Sequence, residues 1–522
     1  MSSQLLALGS VATPNRNLKT TTQTPHYHRI FIPSHVYTHP SAILLELCTS
    51  LKELHQILPL IIKNGFYNEH LFQTKLISLF CKFSSLNEAA RVFESVEHKL
   101  DVIYHTMLKG YAKNSTLRDA LAFYHRMRCD GVRPVVYDFT HLLQLCGDNL
   151  DLRRGREIHG HLMSNGFQSN LFAMNAVVNF YVKCVQIEDA YKVFERMLQR
   201  DFLSWNLMVA GYAQNGLARR AVWLVLQMQE DGHRPDCVTV VSVLPAVADI
   251  RDLRIGKSIH GYAFRAGFES KVLVVTAILD MYFKCGSVRN SRLVFEGMCS
   301  KDCVSWGTMI NGYAQNGESE EAFATFLKML DQGVEPTSVS MVGALHACAD
   351  LGDLERGRFV HKLLEQQKLD SDVLVMTCLV LMYSKCKRVD IAASVFRNFK
   401  QKTIVTWNAM ISGYAQNGCV NEALKLFCEM QSHGIKPTSF TLVSVLTAVG
   451  DLLVTRLVKW IHGLAIRTLM DKNVFVCTAL ASTYAKCGAI QTARKLSDMM
   501  QERDVITRNA MIDEYHVGEV PY

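Results

Sequence analysis

Four histidines, His159, His260, His361 and His462, and four cysteines, Cys184, Cys285, Cys386 and Cys487, have the residue types for metal binding or nucleophilic chemistry. Each series advances by 101 residues per step. Equivalent side chains so far apart on equivalent elements cannot converge on one ion or one reacting atom. Zinc ligands come in closer pairs, with a second pair or histidines behind them. The chain has 16 cysteines but no C-x-x-C pair, the nearest approach being Cys299 and Cys303. Neither metal nor disulfide is expected. The periodic cysteines are read as small core residues of a protein in a reducing compartment.

The same beat runs through other residues. Tyr-Ala-Gln-Asn-Gly stands at 212–216, 313–317 and 414–418, with a looser Tyr-Ala-Lys-Asn-Ser at 111–115. Lys82, Lys183, Lys284, Lys385 and Lys486 keep step with it. Self-similarity at a fixed period marks an array of stacked repeats. Each 101-residue block divides into repeats of 35, 35 and 31 residues, as in 202–236, 237–271 and 272–302. Trp205, Met208, Val209 and Tyr212 fall on one helical face, and so do Ala221, Leu224, Val225 and Met228. Asn215-Gly216 stops the first helix, and Gly232 with Pro235 stops the second. Every repeat is therefore an antiparallel helix pair, and the expected fold is an all-α right-handed solenoid with an inner groove.

The cuts run 38–69, 70–100, 101–135, 136–170, 171–201, 202–236, 237–271, 272–302, 303–337, 338–372, 373–403, 404–438, 439–473 and 474–504. A last repeat opens at Val505 and stops at Tyr522, so the array is expected to be truncated. Residues 1–37 contain no acid and are rich in Ser and Thr with scattered Arg and Lys, the composition of an organellar transit peptide that leans toward plastid over mitochondrion. A disordered N-terminus is the alternative. The net charge of +8 is compatible with a polyanionic partner without requiring one. No apolar run reaches the ~18–20 residues of a membrane span.

Repeats of 35, 35 and 31 residues carrying Ser-Trp-Asn-x-Met and Tyr-x-Lys-Cys-Gly resemble the PLS class of plant pentatricopeptide repeat proteins from about residue 38 onward. The Trp-x-x-Leu-Gly-x-x-Tyr pattern of tetratricopeptide repeats is absent. The resemblance implies an organellar single-stranded RNA binder, most often a specificity factor for C-to-U editing. Relatives often continue into a zinc deaminase domain. That chemistry needs H-x-E and C-x-x-C, and this chain has neither. No enzyme activity and no cofactor are expected, and a separate deaminase or editing-complex protein is the implied partner. A protein-binding scaffold, or a truncated product unable to support editing, remains open.

In the family the fifth and last residues of a repeat read one base. Carried over, Asn175 with Asp201 and Asn206 with Asp236 resemble U readers, and Thr276 with Asp302 and Thr478 with Asp504 resemble G readers. Asn408 with Thr438 implies a pyrimidine, Thr377 with Thr403 a purine, and Thr140 with Asn170 an A. Val241, Val342, Val443, Gly307 and His105 with Val135 depart from the rule. From 171 to 504 the implied target is U-U-x-G-x-x-purine-pyrimidine-x-G, running 5′ to 3′ by the polarity of the family. The competing role for the acids is plain N-capping. The five periodic lysines are read as phosphate contacts, against the alternative of solvated residues in a helix's last turn.

Overall fold

The structure is a computed structural model describing residues 40–499 except 368 and 370. The expected transit segment, Asp504 and the final partial repeat lie outside the described residues. Those described form 28 α-helices and three short 3-10 turns, with no strand among them. They fall into two compact units that divide between Ala266 and Gly267. None of the described helices is long and apolar enough to cross a membrane.

In the first compact unit, the first helices of the repeats from 70 onward are His70–Lys82, Asp101–Asn114, Val136–Asp148, Leu171–Lys183, Phe202–Gln214 and Cys237–Asp249. In the second they run from Val272–Lys284 through Cys303–Gln315 and further helices to Val474–Lys486. Each starts at the first residue of a repeat as cut from the periodicity. Within each compact unit, successive first helices touch one another. The second helices lean on their own partner and on the next repeat's first helix. Each unit is thus a solenoid in which a given first-helix position recurs along one continuous row.

One helix shows how the sequence makes the element. Asp201 accepts the Ser204 backbone N–H at 2.8 Å, and the Ser204 hydroxyl answers the Asp201 N–H at 3.2 Å, which closes a capping box. Trp205, Met208, Val209 and Tyr212 are all buried. At the far end, the Asn215 side-chain amide donates to the Gly211 carbonyl at 2.8 Å, and Gly216 takes φ 72°. Asn316 and Asn417 repeat the bond at 2.9 and 2.8 Å. Asn417 also reaches the Ser384 carbonyl of the preceding repeat at 3.0 Å. The most conspicuous motif of the chain is therefore a helix stop, which at Asn417 also ties neighbouring repeats together.

The periodic histidines are packing residues. His159, His361 and His462 meet Tyr181, Tyr383 and Tyr484 of the next repeat at 3.0, 2.9 and 3.2 Å. Burial lowers the pKa of each imidazole. The periodic cysteines are less buried than expected: Cys184, Cys285, Cys386 and Cys487 are half-buried, with Cys386 and Cys487 packed against the edge of the core. Each is the C-cap residue, where the backbone is already leaving the helix and its bundle of apolar neighbours.

The turn that follows them carries a correctable strain. Val185 and Lys387 hold φ of 59° and 58°, where the equivalent Gly286 and Gly488 hold 70° and 73°. A left-handed backbone costs a residue with a Cβ about 1–2 kcal/mol, and glycine's extra unfolded-state entropy returns about half of that. Val185→Gly and Lys387→Gly are each expected to raise stability by about 0.5–1 kcal/mol. Urea denaturation followed by circular dichroism checks this; an unchanged or lower midpoint counts against it.

Candidate nucleic-acid interface

Three side chains meet at the start of several first helices. Asn175, on Leu171–Lys183, donates its amide N–H to Asp201 Oδ1 at 3.2 Å. The hydroxyl of Ser204, third residue of the next first helix, lies 2.7 Å from Asn175 Oδ1 and 2.8 Å from Asp201 Oδ1. One repeat on, Asn206 donates to Asp236 at 3.3 Å and Thr239 donates to Asn206 Oδ1 at 2.6 Å. In the second compact unit Asn408 donates to Thr438 Oγ1 at 3.2 Å while Thr441 donates to Asn408 Oδ1 at 2.6 Å. Fifth residue, last residue and following third residue form one triad. The hydroxyl donor fixes which way each amide points.

Burial works against charge on Asp201, yet the Ser204 backbone and hydroxyl and the Asn175 amide outweigh it, and the carboxyl sits below its ordinary range. Asp236 behaves likewise with Thr239 and Asn206. Both stay ionised near neutral pH. In the Asn175 triad the bonds to Asp201 all land on Oδ1, which leaves Oδ2 as an acceptor beside the second amide N–H. The acids do cap the next helix, so capping and presentation of a polar edge coexist in the same group.

The remaining expected pairs vary. Thr377 back-bonds to the Val373 carbonyl at 2.7 Å and meets Thr406 Oγ1 at 3.0 Å, with Thr403 on the other side of that hydroxyl at 3.2 Å. Asp302 caps Ser305 at 2.8 Å, while the buried Thr276 hydroxyl has no protein partner among the described residues. Thr478 bonds to the Val474 carbonyl at 2.8 Å. Thr140 bonds to the Tyr137 carbonyl at 2.9 Å and Asn170 caps Ala173 at 3.0 Å, and no hydrogen bond joins Thr140 to Asn170 among the described residues. Thr140 sits in a second-type repeat, and the third residue of the helix that follows is Ala173, which offers no hydroxyl. Val342 is followed by Val375 and Val443 by Val476 in the same way, so those repeats have apolar groups at both places.

Two features escaped the reading of the sequence. The first is the third-residue hydroxyl: Ser204, Thr239, Thr406 and Thr441 are fully buried. The second is its neighbour. From 101 on, the second residue of every described repeat is a large apolar side chain left in solvent, from Val102 at 41% exposed to Phe475 at 70%. A polar third residue buried beside an exposed apolar second residue inverts the usual order of a protein surface. The fifth residue sits against both: a Cβ at Gly307 would lie 3.4 Å from the Val339 side chain and 3.6 Å from the Ser340 nitrogen. A flat aromatic ligand could stack on the apolar members and meet the triad with its edge.

The lysines stand at helix C-termini with carboxylates beside most of them. Lys183 pairs with Asp148, Lys385 with Asp350 at 2.7 Å and Lys284 with Asp280 at 3.0 Å. Lys82 lies 5.5 Å from the centre of the Phe83 ring, and Lys486 is exposed. Exposed pairs of this kind contribute about 0–1 kcal/mol, so a second anion can compete for the lysine.

Comparison with known proteins agrees with this architecture. A PPR repeat profile matches residues 102–132, 172–202 and 203–233, and a PPR repeat family profile matches 301–350 and 402–450. A chloroplastic pentatricopeptide repeat-containing protein of Arabidopsis thaliana is 55% identical over 99% of this chain and 64% of its own length. A mitochondrial one from the same plant is 33% identical over 91% of this chain and 69% of its own. The chain spans about half to two thirds of the length of the curated relatives it matches. The crystal structure of the pentatricopeptide repeat protein PPR10 from maize has a TM-score of 0.61 at 18% identity, covering 92% of this chain and 71% of that one. PPR10 in complex with an 18-nt psaJ RNA element gives 0.59 at 18% identity, covering 92% and 72%. With its repeats, its stacked helix pairs and these relatives in agreement, the chain belongs to the pentatricopeptide repeat family.

Proposed function

We propose that the chain binds single-stranded RNA in a plant organelle, one base per reading repeat, through the triads. The recurrence of the Asn175, Asn206 and Asn408 triads at one helical position, each beside an exposed apolar second residue, carries this reading. PPR10, a relative in fold, has been crystallised with an RNA element. A ring N–H, which only U and G present on the pairing edge, suits the free carboxylate oxygen of Asp201. The alternation of 35, 35 and 31 residues supports the PLS class and, with it, site recognition for C-to-U editing with the deaminase supplied by a partner. The acid-free N-terminal stretch 1–37 and the chloroplastic relative support a plastid location.

Filter binding to an RNA carrying the implied target across a salt series tests this. Affinity should fall with salt, and Lys284→Ala should weaken target and scrambled RNAs alike while reducing the log–log slope by about 0.7. Salt-independent binding, or no RNA binding beside tight capture of a protein partner, favours the scaffold reading instead.

A further inference from the structure

We propose that repeat 101–135, whose fifth and last residues match none of the pairings above, reads a base through His105 and the buried Asp138; this rests on the RNA reading above. In the triads the polar partners of the fifth residue are the last residue and the following third residue. Here the last residue, Val135, has no polar side chain, and the acid has moved to the third place of the next helix, Val136–Asp148. Asp138 is 2% exposed. Its Oδ2 accepts the Val135 backbone N–H at 2.8 Å and lies 2.7 Å from His105 Nδ1.

That contact selects a tautomer. A carboxylate oxygen 2.7 Å from an unprotonated ring nitrogen would set lone pair against lone pair, so Nδ1 carries the hydrogen. The oxygen stands off the axis of that N–H, so the carboxylate holds the ring through the N–H dipole and close packing more than through a straight hydrogen bond. Nδ1 itself is covered, while 19% of the side chain remains exposed, so the open edge is the one bearing Nε2. In an uncharged imidazole with hydrogen on Nδ1, Nε2 is an acceptor. It is matched by the ring N–H of uridine or guanosine, whereas adenosine and cytidine place an acceptor nitrogen at that point of the pairing edge and would set lone pair against lone pair. Val102, three residues before His105 on the same helix face, and Tyr137, next to Asp138, are exposed apolar flanks like those of the other repeats. His105 is thus a specificity residue and Asp138 its positioning residue.

Selection from a randomised RNA pool at pH 8, using the whole chain, tests it. The U-U step assigned to Asn175 and Asn206 sets the register, because repeat 101–135 precedes 171–201 by two repeats. The nucleotide two positions 5′ of the first U should favour U or G over A and C about tenfold. His105→Ala should abolish that bias and Asp138→Asn should weaken it, with the U-U step retained as proof that the array still folds and binds. A U-U step with no bias two positions upstream, or a bias that survives His105→Ala, overturns this inference. Loss of the U-U step from the wild-type selection overturns the RNA reading itself.

Discussion

Gly312→Val is expected to destabilise the protein by about 3 kcal/mol. Gly312 lies one residue before Tyr313 in the second Tyr-Ala-Gln-Asn-Gly copy, and the ring of Phe283 from the preceding repeat rests on it. A Cβ there would stand 2.3 Å from Phe283 Cδ2 and 2.5 Å from Cγ. The ring cannot swing away cheaply, because it is buried and packed edge-on against Tyr313 at 5.5 Å. Glycine's helix penalty of about 1 kcal/mol is repaid only where a side chain fits. Gly160 is the control: it lies inside Leu152–Ser164 with nothing within 4 Å of a Cβ, so Gly160→Ala should stabilise by up to about 1 kcal/mol. Urea denaturation of both variants checks the pair, and the account fails if Gly312→Val unfolds at the wild-type midpoint.

This contrast shows what the sequence could and could not disclose. Helix pairs, their starts and the all-α solenoid were legible, because period and spacing express them directly. The Asn-Gly stop at 215–216 was legible for the same reason. The need for Gly312 was not, since its partner Phe283 lies in another repeat and the contact exists only after stacking. Exposed Leu203 and Val405 look like core residues in a one-dimensional reading, because apolar type alone does not tell a ligand face from a buried one. Ser204 and Thr239 have the residue types of ordinary helix starts, and capping is part of what they do. Their second bond, back to Asn175 and Asn206, crosses a repeat boundary. Val185 was within reach, because the 101-residue step aligns it with Gly286 and Gly488.

Asn206→Thr is expected to turn a preference for U into one for G at a single nucleotide. Asn206 presents an amide N–H beside the Asp236 carboxylate. Threonine removes that donor and shortens the side chain, which leaves room for a purine whose ring N–H and exocyclic amine both face the acid. The exchange should not disturb packing: Thr377 already occupies the equivalent place and meets the Thr406 hydroxyl at 3.0 Å, so a threonine at 206 can keep a bond to Thr239. A change of preference of about tenfold corresponds to about 1.4 kcal/mol, the scale of one well-placed edge contact.

The measurement that bears most directly on base reading by the triads is therefore the ratio of affinities of wild type and Asn206→Thr for two RNAs differing only by U or G at the second position of the target. Wild type should favour the U probe and Asn206→Thr the G probe, with binding unaltered by changes at unassigned positions. An identical ratio for both proteins would contradict the assignment of these residues to bases.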